Sequence, residues 1–243
     1  MKKVIVTGGA GFIGSNLVDR LIDMGVEVVI LDNLSTGKRE NINPKAQLVL
    51  CNLHNAKVDF LSKYCKDVDT IFHLASKTVV QESIENPQEY HTNNTDSTFN
   101  MLEVARINKI PNFVFSSGAA IYGDGPIPTK ETHEKKPLSP YALNKVVGEQ
   151  YCNLYKELYK INTVCLRYFN VYGDRMNESG GYKSVISVFK TLIKNNQPLT
   201  INNSGNQRRD FIHVKDVVKA NITVVKNINK CTGESYNVGY GEN

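Results

Sequence analysis

The chain has 243 residues, of which 41% are hydrophobic and 22% are charged, as in typical globular domains. This composition excludes disordered and fibrous classes, and the length allows one large domain with a smaller lobe. The formal net charge of +5 comes from scattered lysines and not from a basic run, so no nucleic-acid partner is expected.

Short β-rich apolar runs alternate with longer helical patterns along most of the chain. The predicted strands are, in chain order, 4–7, 26–31, 47–51, 70–73, 113–116, 163–167 and 236–238. The predicted helices are 14–24, 87–108 and 140–160, and the last two have a proline near the first turn, where its missing N–H costs nothing. This alternation predicts an α/β fold of the Rossmann type, with a doubly wound parallel sheet.

The first predicted strand leads into a glycine-rich loop that opens a helix. Gly8 permits a tight turn, Gly11 lets the backbone approach a pyrophosphate, and Gly14 lets the helix and the strand pack closely. The free N–H groups at the helix N-terminus attract the anion. An ordinary glycine-rich turn is the alternative, but the flanking strand and helix favour a dinucleotide-binding loop.

Asp32 follows at the end of the second predicted strand, where a carboxylate would accept hydrogen bonds from the adenosine ribose hydroxyls. This position favours NAD, because Asp32 would repel a phosphate on the 2′-hydroxyl. Lys38 and Arg39 lie close enough in sequence to leave NADP open. Asp-Asn after a strand is also common turn chemistry, so a simple turn is the alternative for Asp32.

Tyr141 and Lys145 lie four residues apart near the start of a predicted helix, so both side chains project from one face. A nearby cation stabilises phenolate over phenol, which would lower the pKa of Tyr141 towards that of a general base. Tyrosines at a spacing of four residues also arise by chance, since the same predicted helix contains Tyr151, Tyr155 and Tyr159. The position of this pair, after the serine-rich end of strand 113–116, places it at the crevice of an open α/β sheet and favours catalysis.

Together these residues resemble the extended short-chain dehydrogenase/reductase superfamily, within it the NAD-dependent epimerase/dehydratase family, and there the UDP-glucose 4-epimerase group. The resemblance spans nearly the whole chain. The blocks that carry it are residues 7–14, Asp32-Asn33-Leu34, His73-Leu74-Ala75, Phe115-Ser116-Ser117, Ile121-Tyr122-Gly123, Ser139-Pro140-Tyr141 with Lys145, residues 166–173 and residues 209–214.

The resemblance implies NAD as cofactor and a UDP-sugar or related nucleotide sugar as substrate. The implied cofactor-binding residues are Gly8, Gly11, Phe12, Ile13, Gly14, Asp32, Asn33, Asn52, Leu53, Leu74, Ala75, Asn94, Ser116, Tyr141, Lys145 and Tyr168. The implied catalytic residues are Tyr141, Lys145 and Ser117. Asn170 and Arg209 match positions that hold the diphosphate of the sugar nucleotide. The helices 87–108 and 140–160 resemble those through which relatives pair, so a homodimer is expected.

Three features depart from the pattern of the family. Asn52-Leu53 stands where relatives usually have Asp-Ile or Asp-Leu near the adenine. Gly118 stands where many relatives have a hydroxyl against the sugar oxygen, a role left to Ser117, a backbone N–H or water. Relatives also continue beyond the last predicted strand. We therefore expect an NAD-binding domain of 1–172, joined by 205–225 and 235–239, and a small, incomplete substrate lobe of 173–204 and 226–243.

The segment Gly118-Ala119-Ala120 distinguishes the reactions of similar enzymes. The 4,6-dehydratases have an Asp-Glu pair at the two alanine positions, and decarboxylating relatives keep a glutamate at the second. Neither alanine can act as an acid or a base, so the resemblance leaves epimerisation as the reaction. In that reaction Tyr141 takes the proton from the sugar O4 while C4 passes hydride to NAD, and the hydride returns to the opposite face of the 4-keto sugar. A non-catalytic NAD-binding module, or another sugar-nucleotide-modifying member of the family, is the alternative.

The five cysteines are far apart and include no C-x-x-C pair, which argues against a disulfide framework and a zinc site. The five histidines show no ligand spacing, so no metal is expected. The N-terminal apolar run is too short for a signal peptide, and no stretch reaches the length of a membrane span. We therefore expect a cytoplasmic protein without a membrane partner.

Overall fold

Seven parallel strands form one central sheet in the computed structural model, which describes residues 1–176, 185–201 and 205–241. They are β1 (Lys3–Thr7), β2 (Glu27–Asp32), β3 (Gln47–Leu50), β4 (Thr70–His73), β5 (Asn112–Gly118), β6 (Asn162–Tyr168) and β9 (Ser235–Val238). Their spatial order is β3-β2-β1-β4-β5-β6-β9. The order reverses beside β1, which leaves a crevice at the carboxyl ends of β1 and β4. The predicted doubly wound Rossmann sheet is confirmed.

Helices cover both faces of this sheet. The described α-helices of the chain are α1 (Phe12–Asp23), α2 (Val58–Ser62), α3 (Val80–Glu85), α4 (Pro87–Tyr90), α5 (Ser97–Ile107), α6 (Pro140–Tyr159), α7 (Val185–Lys194), α8 (Val214–Lys226) and α9 (Ile228–Cys231). One apolar core lies between the sheet and α1 and α8, and a second lies between the sheet and α5 and α6. Because both faces are covered, the inner strands are continuous apolar runs without polar alternation.

The predicted helix 87–108 contains a π-helical turn, which the sequence analysis did not anticipate. The turn, His91–Asp96, separates α4 from α5. Asn94 lies in it, and its side chain accepts from Lys77 N at 2.8 Å and donates to Lys77 O at 3.0 Å, on the loop after β4. A π turn accommodates one residue more than an α-helical turn, and apolar periodicity does not reveal so small an insertion.

The chain after Tyr172 contributes to the main sheet as well as to a separate region. A second, two-stranded parallel sheet joins β7 (Asn170–Tyr172) to β8 (Phe211–His213). From there α8 packs on the sheet, Cys231 is buried in the same core, and β9 adds the last strand beside β6. In α7, Val185 and Ile193 are 48% and 63% exposed. No helix in the described ranges has both the length and the hydropathy to span a membrane.

Candidate active site

The glycine loop between β1 and α1 has contacts that only glycine permits. Gly8 has a φ of +68°, and a Cβ there would lie 2.8 Å from Ala75 N. A Cβ at Gly14 would lie 2.1 Å from Gly8 O, far inside van der Waals contact. The helix begins at Phe12 without a side-chain cap, and the N–H groups of Phe12 and Ile13 have no acceptor within the helix. They form a site for a phosphate anion.

Asp32 lies at the carboxyl end of β2, where it is 7% exposed. Its carboxylate accepts from Ala10 N at 3.0 Å and from Leu34 N at 2.8 Å. A carboxylate has about four acceptor positions, so these two bonds leave capacity for ribose hydroxyls. Burial and the charge of Asp32 raise the pKa of the Cys51 thiol to about 11, so this neighbour stays uncharged.

Lys145 is buried against the end of β5. Its ammonium donates to Ser116 O at 2.7 Å and lies 5.8 Å from the ring centroid of Tyr141. Burial lowers the pKa of Lys145 to about 8, although the negative charge of Glu149 acts in the opposite direction. Ser139 caps the helix by accepting from Ala142 N at 3.2 Å. This cap fixes Tyr141 in the first turn, one helical turn before Lys145.

One groove of about 680 Å³ connects the glycine loop to Tyr141. Most residues of the predicted cofactor and catalytic sets line it, and so does Asn170. Three predicted residues are not among its lining residues: Asn52, Asn94 and Arg209. The Asn52 amide oxygen accepts from Asn33 Nδ2 at 2.8 Å, and exposed Arg209 donates to Arg208 O at 2.7 Å.

The groove is also lined by residues that the sequence analysis did not select. They include Lys77, Thr78, Val79, Glu82, Tyr90 and Asn93. Most of them lie on the loop after β4 or in α3, next to the strand end at which an open sheet places its ligands. Their position directly after the fourth predicted strand is the sequence feature from which they could have been predicted.

Gly118 leaves space beside the Tyr141 hydroxyl. A Cβ at Gly118 would lie 3.4 Å from that hydroxyl and 3.7 Å from Tyr168 O, both ordinary contact distances. Packing therefore does not require glycine here, in contrast to Gly8 and Gly14.

The Ser117 hydroxyl, predicted to be catalytic, contacts a buried carboxylate. It donates to Glu149 Oε1 at 2.7 Å, and Ser117 is 3% exposed. Ser117 lines the groove, and this bond ties its hydroxyl to Glu149 of α6, so in this arrangement the hydroxyl supports Glu149.

Replacing Ser117 with alanine should therefore lower kcat by less than about tenfold, whereas loss of a hydroxyl that transfers a proton typically costs about 10² to 10⁴. Initial rates and thermal unfolding of the Ser117→Ala protein would measure this. A fall of more than about 100-fold at an unchanged Tm would instead support the catalytic role predicted for Ser117.

A buried hydrogen-bond chain fixes the main chain where β1 and β4 end. Thr7 Oγ1 accepts from Leu74 N at 3.1 Å and from Ala75 N at 3.0 Å. Its own O–H therefore donates to His73 Nδ1, at 2.9 Å. His73 Nε2–H then donates to Thr98 Oγ1 at 3.1 Å, which defines a neutral imidazole. Burial, with the charge of Lys145, lowers the pKa of His73 to about 3.

This neutral histidine should make the protein less stable in mild acid. The unfolded chain binds a proton near pH 6.5, whereas folded His73 does not until about pH 3. The free energy of unfolding should fall between these values by on the order of 1 kcal/mol per pH unit from this group. Urea unfolding at pH 7 and pH 5 should show a weaker pH dependence for His73→Gln than for the wild type.

An unchanged slope in His73→Gln would mean that His73 takes up its proton in the folded state as readily as in the unfolded state.

Residues 4–239 match the NAD dependent epimerase/dehydratase family. The chain belongs to this family. UDP-glucose 4-epimerase of Mycolicibacterium smegmatis is 36% identical over 246 residues, which cover 98% of this chain and 77% of that protein. UDP-N-acetylglucosamine 4-epimerase of Methanobrevibacter ruminantium, solved with UDP-N-acetylmuramic acid, has a TM-score of 0.92 at 40% identity, with 99% of this chain and 77% of that chain covered. UDP-glucose 4-epimerase of Thermus thermophilus, solved with NAD, has a TM-score of 0.88 at 34% identity, with 99% of this chain and 78% of that chain covered.

The protein is thus an NAD-dependent epimerase that acts on nucleotide sugars, and its groove fits the cofactor. The glycine loop has no room for a Cβ at Gly14, and it places helix N–H groups where a pyrophosphate needs donors. Asp32 at the neighbouring strand end has acceptor capacity that ribose hydroxyls would use. These features fit a dinucleotide such as NAD, the cofactor of the family.

Proposed function

We propose that the protein interconverts UDP-sugars that differ in configuration at C4, as in UDP-glucose and UDP-galactose. One observation carries this proposal: Tyr141 and Lys145 line the same groove as the dinucleotide-binding loop, and Lys145 is bonded to the end of β5 at Ser116 O. A phenol beside a buried ammonium is suited to proton exchange with a sugar hydroxyl.

In this proposal Tyr141 accepts the proton of the sugar O4 and later returns it. NAD, when bound in the groove, would supply reversible hydride transfer at the sugar C4. The Lys145 ammonium stabilises the Tyr141 phenolate, and Ser116 O holds that ammonium in place. The cofactor is regenerated in each cycle, so it is expected to remain bound.

The two alanines after Gly118 argue for epimerisation over dehydration. Ala119 and Ala120 line the groove and begin a 3₁₀ turn, Ala119–Tyr122. Neither side chain can donate or accept a proton, and removal of water from the sugar requires a further acid and base. For the diphosphate we propose Asn170, which lines the groove, and Arg209, which lies outside the described lining.

A panel of sugar nucleotides tests the proposal. The purified protein should convert UDP-glucose, UDP-N-acetylglucosamine or UDP-glucuronate into its C4 epimer, as measured by anion-exchange chromatography and by proton NMR of the product. A 4-keto-6-deoxy product would instead indicate a dehydratase. Tightly held NAD without turnover on any sugar would favour a non-catalytic NAD-binding module.

We also propose a homodimer that pairs through α5 and α6. Phe99, Leu143, Leu154 and Leu158 lie on these two helices and are 44%, 50%, 48% and 59% exposed, which leaves an apolar face unpaired. A second copy of the chain would cover this face through a two-fold contact.

Light scattering should therefore give twice the chain mass of 27.2 kDa, and Leu154→Glu should reduce the mass to that of a monomer. The control is Ile127→Glu, because Ile127 is 80% exposed and lies outside both helices. A wild-type mass of one chain would exclude the dimer.

The division into domains remains part of this proposal. We propose an NAD-binding domain of 1–172 with 205–225 and 235–239, and a substrate lobe that includes 173–204. The second lobe segment predicted from the sequence, 226–243, contains Cys231, which packs in the core of the main sheet.

All five cysteines are free thiols, which supports a reducing, cytoplasmic compartment.

A further inference from the structure

A fully buried carboxylate lies one helical turn beyond Lys145 on α6. Glu149 has no exposed surface. Arg167 donates to both of its oxygens, from Nε at 2.9 Å and from a terminal nitrogen at 2.8 Å. Lys135 Nζ lies 2.7 Å from Oε2, and Ser117 Oγ donates to Oε1 at 2.7 Å. Four contacts thus satisfy one carboxylate inside the protein.

These contacts join β5, β6, α6 and the loop before α6. Ser117 and Arg167 are paired residues of β5 and β6. Lys135 lies on the loop before α6, and Arg167 also donates to Glu131 O of that loop at 3.0 Å. The helix is therefore fixed to β5 at two successive residues, through Lys145 at Ser116 and through Glu149 at Ser117.

Glu149 remains ionised in this environment. Burial raises the pKa of its carboxyl, but the hydrogen bonds from Arg167, Lys135 and Ser117 outweigh burial and hold the pKa below its usual range. Its negative charge acts on the Lys145 ammonium, which burial destabilises. The Glu149 carboxylate can therefore influence whether Lys145 is protonated.

Other titratable groups also surround the two side chains. His73 of β4 is neutral and faces Lys145, and Arg167 and Lys135 contribute positive charge around Glu149. The remaining neighbours on the elements packed here are Tyr141, Cys152, Tyr122 and Tyr168. Glu131 on the loop before α6 is also acidic, but it is exposed and its carboxylate accepts from Asn237 N at 2.9 Å. Glu149 is therefore the only buried acidic side chain among these described neighbours.

We propose that Glu149 is a positioning residue for the reaction: its buried negative charge keeps Lys145 protonated and seated on β5, and Lys135 moderates this charge from the loop side. The proposal rests on the proposed function of Tyr141 and Lys145. Glu149 is not among the residues that line the groove, so it acts through Lys145 and not on the substrate.

Two substitutions of opposite sign test the proposal in the NAD-loaded enzyme. In Glu149→Gln, loss of the negative charge should move the alkaline fall of kcat to lower pH by about one unit, because Lys145 then loses its proton more easily. In Lys135→Met, loss of a positive charge beside Glu149 should move the same fall to higher pH by about half a unit. KM for the sugar nucleotide should stay within about twofold in both, because neither side chain lines the groove.

Shifts in opposite directions are a result that general loosening of the site would not produce. If both variants keep the wild-type pH profile, or if both shift in the same direction, the proposal is wrong. Lys135 is 30% exposed at its side chain, so Lys135→Met decides the question alone if Glu149→Gln does not fold. A Tyr141→Phe protein that retains turnover would refute the proposed function itself, independently of either Glu149 or Lys135.

Discussion

Replacing Tyr141 with phenylalanine should lower kcat for sugar epimerisation by about 10³-fold or more while NAD remains bound. The phenyl ring preserves the packing of the first turn of α6 but removes the only atom that can exchange a proton with the sugar O4 in our proposal. Lys145 keeps its bond to Ser116 O, because that bond does not involve the phenol. Steady-state rates and the NAD content of the denatured protein would measure both effects.

Tyr151 offers a matched control on the same helix. Its ring packs against Phe99, with centroids 5.6 Å apart, and Tyr151 is not among the groove-lining residues. The Tyr151→Phe enzyme should retain nearly the full kcat. Equal losses in the two variants would show that Tyr141 acts through helix packing and not through its hydroxyl.

Replacing Gly14 with alanine should abolish stable NAD binding. The new Cβ would lie 2.1 Å from Gly8 O and 3.0 Å from Gly9 Cα, so the loop must move away from α1. That movement displaces the helix N–H groups from the pyrophosphate, and we expect Kd for NAD to rise about 100-fold or more, equivalent to about 2.7 kcal/mol. Calorimetric titration of protein freed of cofactor would measure the change.

Gly25 separates this steric effect from the general cost of replacing a glycine. Gly25 has a φ of +77°, and no described heavy atom lies within 4 Å of its ideal Cβ. Gly25→Ala should cost about 1 to 2 kcal/mol of stability from backbone strain and leave Kd for NAD unchanged. If Gly14→Ala binds NAD as Gly25→Ala does, the loop adapts and our account of its rigidity is wrong.

The sheet was predictable because each strand carries its own local signal. Apolar runs such as Val4–Val6 are buried on both faces, and each is followed by turn residues or a helix, so alternation alone determines a parallel α/β fold. The short strands β7 and β8 and the π turn escaped prediction. Three-residue strands and a single inserted residue leave too little periodicity to detect.

The site was predictable where its residues are neighbours in sequence. Gly8 to Gly14 and Tyr141 with Lys145 each form a local pattern whose chemistry follows from spacing. The orientation of Ser117 was not predictable, because it depends on Glu149, 32 residues away. The bond between Thr7 and His73 spans 66 residues in the same way. Hydrogen bonds between distant segments require the fold to be known first.

The π turn makes one wall of the cofactor groove sensitive to chain length. Deleting one residue from 91–96 would restore regular α-helical winding and rotate the preceding residues by about 100° relative to α5. Asn94 could then no longer form hydrogen bonds with both the N–H and the C=O of Lys77, and the segment after β4 would lose these two bonds. Insertions and deletions in this helix should therefore affect cofactor retention more than most substitutions on its solvent-facing side.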